Sequence, residues 1–466
     1  MTGNKKMVGT SKQEINQEEE VVRSIKTMFD NVPPLLPEYS IYRVPERLRN
    51  VNVEAYTPMV VSIGPYHHGK EKYKTMEYHK LRYLYSYLIR DYSMPLHHCV
   101  KLVLGLEKFA REFYAEAIFF TKEEFVKMML VDGFFIVELI RQYHNPRLRN
   151  EFDPIFKNHW IFNAVHRDML LLESQLPFSV LESLFTLIND SDQRFRTDGP
   201  FLDLAYGFLD HYKPTQQRRG NSVGRHLLHL SQQGFISPMQ PIPRNNDEAG
   251  VKFQSYRAFI IPSATELHEA GIKFQSKEEP KRNLLVVEFI KGVLYIPPLV
   301  VDDRTESLFR NLVALEQQSH SSCFINDQRE NSVNRAIGNG NQRNGGTTPV
   351  TDYVTLMDCL INTSADVALL RDHGIIHNWL GDNEEVAQLF NKLRSGITAG
   401  STEFYFYDLF LKVNEFYKTP WHAWKAKLKR DYFNTPWASL SFVAAVFLLI
   451  CTFVQALFSI LQVVKN

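Results

Sequence analysis

Apolar positions recur at helical spacing along most of this chain. Val21, Val22, Ile25, Met28 and Phe29 form one such row, which Pro33, Pro34 and Pro37 bring to an end. From Ile41 to Gly69 the period disappears. Pro45, Pro58, Gly64 and Pro65 punctuate a short strand or extended stretch followed by loop, with Gly64 and Pro65 placed for a tight turn that fixes it against the body. The period returns in MEYHKLRYLYSYLIRDY, where Tyr78, Leu81, Leu84, Tyr85 and Leu88 share a face. Further helices are predicted near 101–118, 122–143, 161–188 and 201–211, the third broken in two at Pro177. They are predicted again over Asp303 to Gln318, as two or three segments between Tyr353 and Leu393, and over Phe404 to Tyr417 before Pro420.

Between Phe253 and Val301 the pattern changes. SATELHEAG predicts a short helix closed by Gly271, and IKFQ after it a strand. LLVVEF and VLYIPPLVV flank Ile290, Lys291 and Gly292, the arrangement of a β-hairpin. The fold class is therefore mainly α with a small β-hairpin or sheet insertion, in a single large helical domain. One C-terminal transmembrane helix follows it: Trp437 to Val464 is an uncharged run of about 28 residues, roughly 42 Å as a helix against a hydrocarbon core of about 30 Å.

The organisation that follows is a disordered leader over 1–18, an α-rich body over 19–418, a juxtamembrane segment over 419–436 and the span over 437–464. Polar loops at 191–200, 237–250 and 326–349 interrupt the body as surface excursions; none has the character of an interdomain linker.

Charge and cysteine usage narrow the function classes. Lys and Arg number 53 and Asp and Glu 52, so no global field attracts nucleic acid. Cys99, Cys323, Cys359 and Cys451 are scattered, with no CxxC pair, which suits a reducing compartment. The N-terminus lacks the apolar core of a secretory signal, and Thr2 stands where myristoylation needs glycine. Lys425, Lys427, Lys429 and Arg430 precede the span and Lys465 alone follows it, which together with the terminal position of the span predicts tail-anchored insertion with a cytosolic body, at the plasma membrane or endoplasmic reticulum.

Several segments occur together and in order: IYRVPERLRNVNVEAYTPMVVSIGPYHHG, MMLVDGFFIVELI, DMLLLESQLPFSVLESLF, PSATELHEAGIKF, FRNLVALEQ, YVTLMDCLI and HGIIHNWLGDNEEVAQLFNKL. In these the chain resembles the plant family defined by domain of unknown function 247, also called uncharacterised protein family 0481, from about Val21 through the terminal anchor. The resemblance implies a plant protein with a single C-terminal span and no established enzymatic activity; in some relatives it implies a self-incompatibility determinant. One departure is that Phe134 follows Asp132 and Gly133 where members commonly carry cysteine, which reads as core variation.

Asp168, Glu173 and Glu182 form a conceivable acid/base set, but they sit in an intensely apolar stretch, and Glu173 and Gln175 read better as side chains satisfying backbone groups freed at the Pro177 break. His67 and His68, the His97–His98–Cys99 cluster and the His373/His377 pair lack the context of a metal site, since Gly374 stands where a zinc-protease helix needs glutamate. No catalytic, metal or cofactor residues are assigned, and no cofactor is expected. The main alternative is an enzyme whose site is assembled from dispersed His, Glu and Asp residues.

Two surfaces are candidates for contact. Trp421, Trp424, Lys425, Lys427, Lys429 and Arg430 have the pattern of a helix resting on a membrane surface. Within the span, Ser441, Ala445, Thr452, Ala456 and Ser459 fall on one face beside Gln455, a pattern for association between transmembrane helices. The expected partners are the lipid bilayer, an unknown protein, and a second copy through the span; nucleic acid is not among them. The expected function is that of a non-catalytic recognition or signalling scaffold.

Overall fold

The computed structural model describes residues 19–27, 39–90, 95–191, 199–209, 225–236, 260–277, 283–318, 348–397, 404–419 and 436–465. The expected leader, the juxtamembrane segment over 420–435, and the loops over 192–198, 237–250 and 326–347 lie outside these residues. In chain order the first half contains α1 (19–27), α2 (Glu46–Arg49), α3 (Lys74–Arg90), α4 (Leu96–Arg111), α5 (Lys122–His144), α6 (Pro154–Lys157), α7 (His159–Asp168), α8 (Phe178–Ser191) and α9 (Phe201–Phe208). The second half runs through α10 (Leu227–Ile236), α11 (Ala264–Glu269), β1 (Lys273–Ser276), β2 (Glu288–Ile290), β3 (Val293–Ile296), β4 (Leu299–Val301) and α12 (305–318). It continues with α13 (Pro349–Leu360), α14 (Ser364–Asp372), β5 (Ile376–Asn378), α15 (Asn383–Leu393), α16 (Tyr407–Tyr417) and α17 (Pro436–Lys465). The molecule is mainly α, with two small sheets, as its periodicity predicts.

Two hydrophobic cores form. The first surrounds α5, whose start is fixed by a capping box: the Thr121 hydroxyl accepts from the Glu124 amide and the Glu124 carboxylate accepts from the Thr121 amide. From Phe125 to Gln142 side chains on every side of this helix are buried, which is possible because α3, α4, α8 and α9 sheathe it. Gly133 makes room for α8: a Cβ there would fall 2.4 Å from Leu184 Cδ1. Phe134 is fully buried against Tyr87 at 5.3 Å, so a large ring fills this core position.

On α3 the expected apolar face is corrected. Tyr78, Leu81 and Tyr85 are exposed, and the buried row is Met76, Lys80, Tyr83, Leu84 and Tyr87. The reason is Lys80: its ammonium enters the core to meet a carboxylate on α5, and that contact turns the side bearing Tyr78, Leu81 and Tyr85 outward.

The second core gathers α11 to α16 and the strands. Ser263 and Glu266 form another capping box on α11, and Gly271 at φ 96° closes the turn into β1, as SATELHEAG predicts. The hairpin also forms, with β2 antiparallel to β3 across Lys291 (φ 48°) and Gly292 (φ 79°), the left-handed pair that a two-residue turn demands. Three features were not foreseen: β1 joins β3 in parallel, β4 leaves that sheet, and β4 pairs in parallel with β5, a strand inside the stretch read as helices. His373 and His377 therefore do not share a helix. His373 ends α14 with Nδ1 on the Leu369 carbonyl, and His377 is exposed on β5.

Carboxylates organise the second core as well. Glu316 on α12 accepts from the amides of Val350 and Thr351 and from the Thr351 hydroxyl, capping α13 from outside, and takes Gln232 Nε2 from α10. Asp352 in the first turn of α13 accepts the Tyr405 amide at 2.7 Å, tying down the chain that leads into α16. The cores meet where Asn311 Oδ1 accepts the Leu172 amide while its Nδ2 donates to the carbonyls of Ala55 and Ser307.

Burial, helped by the neighbouring Glu316 charge, raises Asp352 from 3.8 to about 7 against the opposing Tyr405 bond. A folded-state value above the unfolded one means that folding binds a proton here. The stabilising contribution is full below 3.8 and is lost as pH rises through about 7. Asp352→Asn should therefore gain melting temperature relative to the parent at pH 8 more than at pH 5.5, and a variant-minus-parent difference that does not change with pH would contradict this.

Candidate functional site

The densest polar arrangement in the body grips the segment from Ile41 to Lys70. Apart from α2 and one 3-10 turn at Glu54–Tyr56, this segment has no regular structure, and only Ile41 makes a bridge, to Tyr114. Its buried amides must therefore find partners elsewhere. Asp168, at the end of α7, accepts from the amides of Met59, Val60 and Val61 at 2.8 to 3.0 Å, and from Arg167 Nη1 at 2.9 Å. Asp132 on α5 accepts the Gly64 amide at 2.9 Å and pairs with Lys80 Nζ.

Lys80 is fully buried. Its ammonium donates to the Ser62 carbonyl at 2.9 Å and pairs with Asp132 and Glu77, so all three of its protons have acceptors. Burial pulls its pKa down, but the two carboxylates outweigh burial and hold it above the ordinary lysine value. Gly64 is required for the fit: its φ is 72°, and a Cβ would lie 2.8 Å from the Gln175 carbonyl. That carbonyl accepts the Tyr114 hydroxyl at 3.0 Å.

Glu173 is the third carboxylate. It accepts the Val44 amide at 2.8 Å, binds Arg49 Nη2, and lies 3.0 Å from His67 Nε2. Burial pushes its pKa up, but the His67 contact, the Arg49 charge and the Val44 amide prevail and leave it below the ordinary glutamate value. The expectation that Glu173 and Gln175 serve backbone groups beside Pro177 holds for Gln175, whose Nε2 donates to the carbonyls of Met169 and Leu171 and whose Oε1 accepts the Leu228 amide. Glu173 instead reaches across the chain to the 44–67 segment.

Asp168, Glu173 and Glu182 thus do not form one site. The first two hold different parts of the segment, and Glu182 lies half-buried on α8. Among the described residues no group of three or more His, Cys, Asp or Glu side chains is gathered for a metal. Of the four cysteines, Cys99 and Cys359 are buried and Cys451 half-buried, all as free thiols. Lys80 and Asp132 had escaped sequence reasoning. The available signal was a single charge inside an apolar row on each of two helices, which requires a partner.

At the other end of the chain, α17 is a continuous helix whose stretch from Leu440 to Leu457 is long and apolar enough to cross a membrane, with none of it buried inside the protein. Ser441, Ala445, Thr452 and Ala456 are exposed along it, with Gln455 beside them; the side chain of Ser459 lies outside the described residues. Trp421, Trp424, Lys425, Lys427, Lys429 and Arg430 also lie outside the described residues.

These features define a class: a mainly helical body, built on an irregular segment clamped by buried carboxylates, with one C-terminal helix able to span a bilayer. The chain belongs to the DUF247 family, whose description is plant protein of unknown function and whose model matches residues 41–451, from the start of the clamped segment into the apolar helix. It is 29% identical to a UPF0481 protein of Arabidopsis thaliana over 91% of this chain and 87% of that relative. A putative UPF0481 protein of the same plant is 24% identical over 90% of both chains. No solved structure matches.

Removing Glu173 strands the Val44 amide and the Arg49 and His67 side chains. Glu173→Ala should cost about 3 kcal/mol in denaturant unfolding, and an unchanged midpoint would show that the clamp does not contribute to stability.

Proposed function

We infer that this protein is a membrane-anchored, non-catalytic recognition scaffold. The observation that carries this reading is the contrast between its two ends. In the body, the carboxylates and the lysine that an active site would need are occupied by backbone amides and by one another. In α17, large apolar side chains such as Phe447, Leu448, Leu449 and Phe453 stand exposed, and their burial in lipid is the favourable process left to the molecule.

The basic cluster from Lys425 to Arg430 supports an orientation with the body on the cytosolic side, because basic flanks remain there. Trp421 and Trp424 with these lysines would rest on the anionic surface, and each basic residue near it contributes about 1 kcal/mol. Recognition of a protein partner is assigned to the polar excursions, above all 326–349, since loops change without disturbing a core. The face formed by Ser441, Ala445, Thr452, Gln455, Ala456 and Ser459 lets a second copy approach closely in the bilayer. The plasma membrane and the endoplasmic reticulum both fit such an anchor.

Two experiments test this reading. With a glycosylation tag fused after Asn466, translation into microsomes should give a glycosylated product that resists carbonate extraction; an unmodified tag would overturn the orientation. Replacing Ala445 and Ala456 by Leu should weaken self-association of α17 in a membrane reporter assay, and unchanged association would remove this face as the contact.

A further inference from the structure

The corner between α4 and α5 carries the most exposed large apolar side chain among the described residues: Phe119 is 95% exposed. Its projection is held in place. Arg111 at the end of α4 donates to the carbonyls of Ile118 at 2.8 Å and Phe120 at 2.9 Å, and also to that of Thr121. The guanidinium is fixed in turn by Glu107 and lies over the Phe125 ring at 4.2 Å. Thr121 then opens the capping box of α5. Phe119 thus sits between two clamped peptide groups, so the fold itself keeps the ring out in solvent, and little ordering remains to be lost on contact.

The side chains around it are apolar and basic. Phe109, 44% exposed, packs edge to face on the half-buried Phe113 at 5.0 Å at the same end of α4. Phe120 is half-buried against the His68 ring at 5.5 Å. Lys108, Lys101 on the same face of α4, and Lys122 at the start of α5 are exposed, without a carboxylate partner among the described residues. The acids of the corner are engaged: Glu107 with Arg111, Glu116 with Arg43, Glu123 with Lys127, and Glu124 with Thr121. Glu112 is half-buried. The charge left free at this surface is therefore basic.

We propose that this corner docks on the surface of an anionic bilayer, with Phe119 inserted below the headgroups and Lys101, Lys108 and Lys122 against their negative charges. The proposal rests on the membrane-anchored reading and adds to it the face of the body that meets lipid. A ring that stands out alone needs a matching pocket before a protein can bury it, whereas lipid closes around it without one. The free lysines complement the negative charge of a cytoplasmic leaflet. Tethering through α17 holds the lipid surface at high effective concentration, so a contact of one ring and a few cations suffices.

The test uses full-length protein with the photoreactive residue p-benzoylphenylalanine in place of Phe119, a position exposed enough to accept it. The control carries the same probe in place of Trp379, which is 73% exposed beside β5 on the second core. Each protein is reconstituted into vesicles of phosphatidylcholine and phosphatidylserine, floated, irradiated and mapped by peptide mass spectrometry. Phospholipid adducts should form at 119 and be several-fold fewer at 379. The 119 adduct should fall by about tenfold or more in a Lys108→Glu, Lys122→Glu variant, as the loss of two lysines from an anionic surface requires, and should also fall in vesicles of phosphatidylcholine alone. Protein that does not float with the vesicles overturns the membrane reading and this proposal with it. Floated protein whose 119 probe labels lipid no more than the 379 probe overturns the proposal alone. So does a 119 adduct formed with a second copy of the chain in place of lipid.

Discussion

An irregular stretch of chain buried between helices poses one problem above all others, because its amides have neither a strand partner nor water. Here the solution is ionic. Asp168 takes three consecutive amides, Asp132 takes the Gly64 amide, and Glu173 takes that of Val44. Each carboxylate also meets a cation, Arg167, Lys80 or Arg49, so each charge is both paired and hydrogen-bonded. Without these the segment could not remain inside, and with them it becomes the piece on which the neighbouring elements register. Asp132 sets the facing of α3 through Lys80, and the carbonyl of Ala55 accepts from Asn311 and Ser307 of the second core.

The same device recurs away from this segment. Glu316 caps α13 from a different helix, Asp366 collects the amides and hydroxyls of Thr265 and Thr363, and Asp352 holds the Tyr405 amide. The body thus spends its buried acids on backbone groups at the ends and breaks of its elements. That usage makes the ends and breaks of these elements fixed points of the fold.

Much of this was legible in the sequence where local signals suffice. Helical periodicity located α5 and α8 closely, Ser263 with Glu266 and Gly271 bounded α11, and Lys291-Gly292 marked the hairpin. The uncharged run showed α17 directly. What escaped depends on distant parts of the chain. The parallel pairing of β4 with β5 joins residues 77 positions apart, as Leu299 and Ile376, and no local pattern specifies it. The facing of α3 was misjudged because its apolar residues occupy more than one side, and the deciding contact was a charge. Glu173 does accept a backbone amide, but that of Val44 rather than one beside Pro177, and its partners at Val44 and His67 could be known only from the fold.

The account rests on the buried carboxylates acting as backbone partners, and amide hydrogen exchange on the full-length protein measures this most directly. If Asp168 and Asp132 hold the segment as described, the amides of Met59, Val60, Val61 and Gly64 should be protected to a degree comparable with the interior of α5, although they belong to no helix or strand. Exchange of these amides at the rate of an open loop would contradict the account.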